Sequence, residues 1–330
     1  MKQIAVVGSG SWGCALAILL AEKGYRVRLW SFFPEESKAL AKERENKACL
    51  PGVSFPDLIE CSDDLEYCMA DSEAVVSSVP SKGVRATARQ MKKYLKIEEQ
   101  VVISVSKGLE AESLMRLSEV LKEEIPGLRI AALSGPSHAE EVAKNMPTAI
   151  VAAAENLSIA EYVQDLFMTD FFRVYKNTDI AGVEYGGALK NIIALCAGIS
   201  DGAGFGDNAK AALMTRGITE ISRLGVALGA KSETFSGLSG IGDLIVTCTS
   251  VHSRNRRAGI LIGQGKKVEE ALKEVKMVVE GVPATRAAYH LAQQKDIEMP
   301  IVEQAYRVLF ESESPIKAVS GLMMRDRKHE

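Results

Sequence analysis

No two cysteines in this chain are spaced CxxC, and no group of His and Cys has metal-ligand spacing. Neither a redox dithiol nor a zinc site is therefore expected. The six cysteines, Cys14, Cys49, Cys61, Cys68, Cys196 and Cys248, lie scattered, as small apolar residues do in a reducing compartment. His138, His252, His290 and His329 show no triad spacing. The uninterrupted apolar run from Cys14 to Ala21 falls far short of the ~20 residues that cross a bilayer. Lys2 is the one basic residue before the first apolar stretch, which glycines soon break, so the start does not read as a signal peptide. There is little excess of charge of either sign. A formal net charge of -3 gives no reason to expect nucleic acid or an anionic membrane as partner. A soluble, cytoplasmic protein is expected.

What is present points to two domains. At 330 residues, with 47% hydrophobic and 25% charged residues, the chain is globular and too long for one ordinary core. Its first half alternates short apolar runs with amphipathic segments, the pattern of parallel strands joined by helices. Strands are expected at Ile4 to Val7, Tyr25 to Trp30, Ala74 to Val79 and Val101 to Val105. Three more are expected at Ile130 to Leu133, Ala149 to Ala154 and Phe172 to Tyr175. After Gly182 the alternation yields to Ala- and Leu-rich helical stretches, such as Ala211 to Leu228 and Val268 to Val275. Glycine-rich hinges are read at 202–206 and 236–243. The expected architecture is an α/β Rossmann-type domain with a parallel-rich sheet over 1–182, followed by an all-α domain over 183–330. The tail Arg325-Asp326-Arg327-Lys328-His329-Glu330 reads as a frayed, solvated end.

The strand Ile4 to Val7 runs into Gly8-Ser9-Gly10-Ser11-Trp12-Gly13, and Leu16, Leu19, Leu20 and Lys23 follow at helical spacing up to Gly24. In that context the glycines have distinct tasks. Gly8 permits a tight turn, Gly10 admits a pyrophosphate against the backbone, and Gly13 lets helix and strand pack closely. The helix start offers its N–H groups to phosphate. A dinucleotide is therefore expected here. The acid that commonly holds the adenine ribose would fall near Ser31-Phe32-Phe33-Pro34, where neither an acid nor an arginine stands. Phe32 or Phe33 is open between stacking on adenine and packing into the core, and NADP is permitted alongside NAD.

Polar residues in glycine-rich or helix-start contexts supply candidate chemistry. Lys107 follows a strand at the expected ligand edge of the sheet, with a solvated loop lysine as its alternative. Lys190-Asn191 lies in a segment apolar enough to be buried. A buried lysine is costly unless paired and changes protonation readily, which suits proton transfer; a lysine snorkelling from a helix edge is its alternative. Asp243 could cap a helix or orient a lysine. Ser253-Arg254-Asn255-Arg256-Arg257 reads as a helix start, and an arginine there makes a phosphate site. Arg256 and Arg257 are expected to be solvated. His138 could be a general acid but is read rather as a helix-start residue beside Ser137.

Several blocks occur in order: the turn Gly8 to Gly13, Ser106 to Glu110, Ser134 to Glu141 and Gly186 to Asn191. They continue with Ser239 to Thr249, Ser253 to Arg257 and Val279-Glu280-Gly281. Together they resemble the bacterial NAD(P)-dependent glycerol-3-phosphate dehydrogenases over nearly the whole chain. The resemblance implies reversible hydride transfer between NAD(P)H and dihydroxyacetone phosphate, giving sn-glycerol 3-phosphate for phospholipid synthesis. It implies Lys190 as general acid/base, Asp243 holding that lysine, and Lys107 and Asn191 polarising or positioning the substrate. Gly135, Ser137, Ser253, Arg254 and Asn255 would line the substrate and its phosphate. Ser11, Trp12, Phe33, Lys107, Ala139, Arg254, Val278 and Glu280 would contact the cofactor, NADP or NAD. No metal is implied, and a homodimer is compatible. Family members often carry His or Arg near Phe32-Phe33, which leaves cofactor preference open here, and Ala258 stands where a Phe is usual. A hydroxyacid or 6-phosphogluconate dehydrogenase would need different blocks after Gly182. A non-catalytic nucleotide sensor could dispense with Lys190 or Asp243.

Overall fold

The computed structural model describes Lys2–Asp326, and the chain folds into two compact units. One is Met1–Glu110 with Met115–Val183; the other is Ala111–Leu114 with Glu184–Glu330.

The first unit opens with β1 (Gln3–Val7), α1 (Ser11–Glu22), β2 (Arg26–Trp30) and α2 (Pro34–Glu43). Next come β3 (Glu45–Asn46), β4 (Leu50–Ser54), β5 (Ile59–Ser62), α3 (Leu65–Met69) and β6 (Ala74–Ser77). It continues through α4 (Val84–Met91), β7 (Val101–Ser104), α5 (Leu117–Glu124) and β8 (Ile130–Ser134). It ends with α6 (Ala139–Val142), β9 (Thr148–Ala153), α7 (Leu157–Phe167) and β10 (Phe172–Asn177). Among the described residues, eight strands form one sheet in the order β10-β9-β8-β7-β6-β1-β2-β5. All neighbours are parallel except β8 and β9. One sheet face packs Ile4, Val6 and Ile103 against Leu16, Leu19 and Leu20 of α1. The other packs Ala5, Val7 and Val102 with Val84, Ala88 and Leu121. Helices on both faces explain why the central strands read as continuous apolar runs.

From β1 the chain builds outward through β2 to β5, then crosses back to lay β6 on the other side of β1. Open α/β sheets bind ligands outside the strand carboxyl ends where the order reverses, and Gly8 stands at that point. Each of the seven expected strands is present, with ends shifted by one or two residues. The short strands β3, β4 and β5 go beyond that expectation. β5 is a four-residue edge strand, Ile-Glu-Cys-Ser, too short and polar for its pattern to stand out.

The second unit is helical. Its first helix, α8 (Ile180–Gly202), begins in the preceding unit, and α9 (Gly206–Ala227), α10 (Ser232–Phe235) and α11 (Asp243–Thr249) follow. Then come α12 (Arg254–Gly263), α13 (Val268–Val275), α14 (Gly281–Gln294), α15 (Pro300–Phe310) and α16 (Pro315–Met323). Leu195, Ile199, Ala258, Ile262, Ala271 and Val308 form its core. The helix α8 is long and apolar enough to cross a membrane, but 89% of its most apolar window is buried inside the protein. That marks it as a core helix. The segment expected as a hinge before Asp243 is instead a π-helical turn, Leu238–Gly242, running directly into α11. In the tail, Arg325 pairs with Glu298, so it is not a loose end; Arg327, Lys328, His329 and Glu330 lie outside the described residues.

One buried acid makes this unit's stability sensitive to pH. The Glu220 carboxylate in α9 accepts from the N–H of Ile301 at 2.9 and 3.1 Å and from that of Val302 at 3.3 Å, capping α15. Burial pushes its carboxyl from 4.5 up to about 7, against the pull of those two donors and, more weakly, of Arg223 and Arg325. An acid whose folded value is raised stays protonated where the unfolded chain has already ionised. Stability is therefore greatest below the unfolded value and falls as pH rises through the folded one, by about 3 kcal/mol in all. Glu220→Gln should remove that part of the slope. Denaturant midpoints of both proteins at about pH 5 and about pH 8 read the difference, and identical slopes would show that Glu220 does not titrate in this range.

Candidate active site

Within the first unit the glycine turn follows β1 directly. Gly8 has φ +116, and a Cβ there would lie 2.6 Å from the Ser78 carbonyl oxygen. A Cβ on Gly13 would lie 2.0 Å from the Gly8 carbonyl oxygen, so α1 can sit this close only with glycine. A Cβ on Gly10 would meet nothing within 4 Å, leaving open space for a phosphate against the backbone. No side chain caps α1, so its first N–H groups remain for a ligand. The indole N–H of Trp12 is buried and has no partner among the described residues. Donors of this kind around an open cradle fit the pyrophosphate of a dinucleotide.

The other candidate residues of this unit lie after strand ends. Lys107 follows β7, and its Nζ donates to the Gly135 carbonyl at 2.8 Å and to Ser137 Oγ at 3.1 Å. Ser137 Oγ donates to the same carbonyl at 2.8 Å. Lys107 is thus engaged, and the solvated-loop alternative is set aside. Ala139 is buried at the start of α6, and His138 precedes it without a side-chain cap bond. Phe32 and Phe33 are 63% and 62% exposed and meet edge to face at 5.1 Å between ring centroids. The core alternative therefore fails for both.

In the second unit Lys190 and Asn191 sit on α8, each 5% exposed. Lys190 Nζ donates to Asp243 Oδ1 at 2.6 Å and to Thr247 Oγ1 at 2.5 Å. The Thr247 hydroxyl in turn donates to the Asp243 carbonyl at 2.6 Å. Asp243, 1% exposed, is the first residue of α11, directly after the π-helical turn. A glycine makes the approach possible: a Cβ on Gly186, one turn before Lys190, would lie 2.4 Å from the Ser239 carbonyl oxygen. Sequence reasoning missed Thr247. Its signal was available, since it stands four residues after Asp243 on the same helix face.

Beside this pair, Asn255 Nδ2 donates to Asn191 Oδ1 at 2.9 Å, and Asn255 Oδ1 accepts from the N–H of Gly281 at 2.8 Å. Three helices, α8, α12 and α14, are pinned at one place. Ser253 caps α12 by accepting from the Arg256 N–H, and Arg254 is the first residue of that helix. Glu280 precedes α14, and Val278 is exposed. Arg256 departs from its expected solvation. Its side chain is only 18% exposed and donates to Asp201 Oδ2 through Nε at 2.9 Å and Nη2 at 2.6 Å. Asp201 also takes Lys210 at 2.7 Å. The partner lies 55 residues away in sequence, which is why local pattern gave no warning. Arg257 is exposed as expected, and Ala258 is fully buried. Among the described residues no group of His, Cys, Asp or Glu could hold a metal ion.

A doubly wound sheet with a bare glycine turn at its switch point, followed by a helical unit with a buried lysine–aspartate pair, defines the class of two-unit dinucleotide-binding proteins. Residues 3–160 match the family model for the NAD-dependent glycerol-3-phosphate dehydrogenase N-terminus, and residues 179–320 match that for its C-terminus. The chain belongs to this family. It is 57% identical to the glycerol-3-phosphate dehydrogenase [NAD(P)+] of Pelotomaculum thermopropionicum, over 99% of this chain and 95% of that one. It is 58% identical to that of Moorella thermoacetica, over 100% and 98%. The crystal structure of glycerol-3-phosphate dehydrogenase from Coxiella burnetii superposes with a TM-score of 0.95 at 40% identity, covering 98% of this chain and 99% of that chain.

Proposed function

We propose that this chain catalyses the reversible NAD(P)H-dependent reduction of dihydroxyacetone phosphate to sn-glycerol 3-phosphate, the glycerophospholipid backbone. The observation that carries the chemistry is the buried Lys190 ammonium held between Asp243 and Thr247. Bound NAD(P)H supplies the hydride. As the ketone carbon is reduced, its carbonyl electron pair moves onto oxygen, and the Lys190 ammonium stabilises that charge and gives up its proton. Lysine is left as the neutral amine, and the reverse reaction returns the proton. Asp243 holds the ammonium in place, and Thr247 fixes its direction. Lys107 and Asn191 polarise or position the substrate.

Gly135, Ser137, Ser253, Arg254 and Asn255 serve the substrate and its phosphate, Arg254 pairing with the dianion from a helix start. Gly8, Gly10 and Gly13 form the cofactor turn, with Ser11, Trp12, Phe33, Lys107, Ala139, Arg254, Val278 and Glu280 as further contacts. A reducing cytoplasm, in keeping with six scattered cysteines, and a homodimeric assembly complete the proposal.

The test is oxidation of NADH or NADPH by the purified protein with dihydroxyacetone phosphate. Turnover is expected only when both substrates are present, and no oxidation of either cofactor would overturn the reading. In the same assay Arg254→Ala is expected to raise KM for dihydroxyacetone phosphate roughly tenfold to a hundredfold, the loss of one charge-assisted contact. An unchanged KM would remove Arg254 from the phosphate site.

A further inference from the structure

Resting on the reading that a nicotinamide dinucleotide binds at the glycine turn, we infer that this enzyme selects NADH over NADPH, and that the Glu36 carboxylate is the group that selects. The sequence pattern places no acid at the end of β2; the structure brings one back to it.

The N–H of Gly8 donates to the Trp30 carbonyl at 3.0 Å, which sets the carboxyl end of β2 directly beside the turn. Ser31 comes next, fully buried, and its Oγ donates to Glu36 Oε2 at 2.5 Å. Glu36 lies in the first turn of α2, where a carboxylate is favoured by the helix N-terminus. Its side chain therefore folds back against the strand end, and Oε1 accepts no hydrogen bond from any described residue. The adenine ribose of a dinucleotide on this fold falls at the end of the second strand. There a 2′-hydroxyl can donate to a carboxylate, whereas a 2′-phosphate, carrying about −1.5 to −2 charges like other phosphomonoesters, meets like charge.

The surroundings carry the same sign. Glu35 precedes Glu36, and Asp63 and Asp64 follow β5, whose Ser62 is in register with Trp30. The two arginines of this edge are engaged elsewhere. Arg44 donates to the carbonyls of Phe55, Pro56 and Ile59, and Arg28 to those of Tyr67 and Ala70. Lys47 pairs with Glu43, and Lys38 reaches only Glu35 at 3.9 Å on the surface. Phe32 and Phe33 offer an aromatic face to adenine, which both cofactors share, and so do not discriminate.

The alternative is that Glu36 only staples the turn through Ser31. Glu36→Gln separates the two roles, because its amide oxygen can still accept from Ser31 while the charge is gone. The experiment is titration of the full-length protein with NADH and with NADPH in the absence of substrate, read by dihydronicotinamide fluorescence and by calorimetry. The unmodified protein is expected to bind NADH at least about tenfold more tightly than NADPH, the scale of one like-charge contact. Glu36→Gln should bring the two affinities within a fewfold of each other, and Phe32→Arg should raise NADPH affinity. Equal or tighter NADPH binding by the unmodified protein overturns the inference, as does an unchanged ratio in Glu36→Gln. Binding of neither cofactor overturns instead the dinucleotide reading beneath it.

Discussion

Lys190→Ala is expected to lower kcat by between about 10² and 10⁴, the range supplied by a positioned general acid. At that place Asp243 and Thr247 accept from the Lys190 ammonium. Binding of NADH or NADPH should be nearly unchanged, because the glycine turn belongs to a unit with its own two-faced core. The check is steady-state turnover with saturating dihydroxyacetone phosphate, alongside a dinucleotide titration on the same preparation. Near-normal kcat would remove Lys190 from the mechanism. Loss of dinucleotide binding as well would mean that the substitution damaged the fold, and the Asp243 variants described next would then carry the test.

Asp243→Asn should cost activity and stability together. Removing the charge leaves the Lys190 ammonium buried without its carboxylate at 2.6 Å, and breaking a buried pair from one side destabilises by about 3–5 kcal/mol. Removing both charges is a different matter. Lys190→Met combined with Asp243→Asn leaves no unpaired charge and should recover most of the lost stability, since apolar replacements of buried pairs are often neutral. It should recover no turnover. Denaturant midpoints and kcat measured on the single and double variants separate the two effects. A double variant as unstable as Asp243→Asn would show that packing, not charge pairing, dominates at this place.

The legible parts of the sequence were those with a local pattern. The run Ile4 to Gly13, the helix that follows it and the core strands announce themselves because burial on both faces leaves them almost without polar residues. Lys190 was legible as a problem: a charge inside an apolar helix segment needs a partner. The helix start at Ser253 to Arg257 was legible, because a polar run stands directly before the apolar Ala258 to Ile262. The strand β5 was not legible, since four residues at a sheet edge carry too little alternation. Arg256 was misread because its neighbours are basic and polar, while the Asp201 that buries it comes from another helix. Thr247 was overlooked because a threonine in an apolar helix is ordinary until something donates to it.

Sequence alone determined that a glycine turn opens a dinucleotide-binding sheet and that a helical half follows with a lysine, an aspartate and an arginine to be placed. Tertiary structure decided what those residues touch. Lys190 and Asp243 stand 53 positions apart, and no periodicity states their pairing, which depends on a bare Gly186 letting the Ser239 carbonyl approach α8. Likewise Glu36 looks like a surface acid on a helix start until the turn at Ser31 brings it back to β2. Short-range pattern follows from the backbone's own period, but the partner of a buried charge is set by which helices can approach closely enough to supply it.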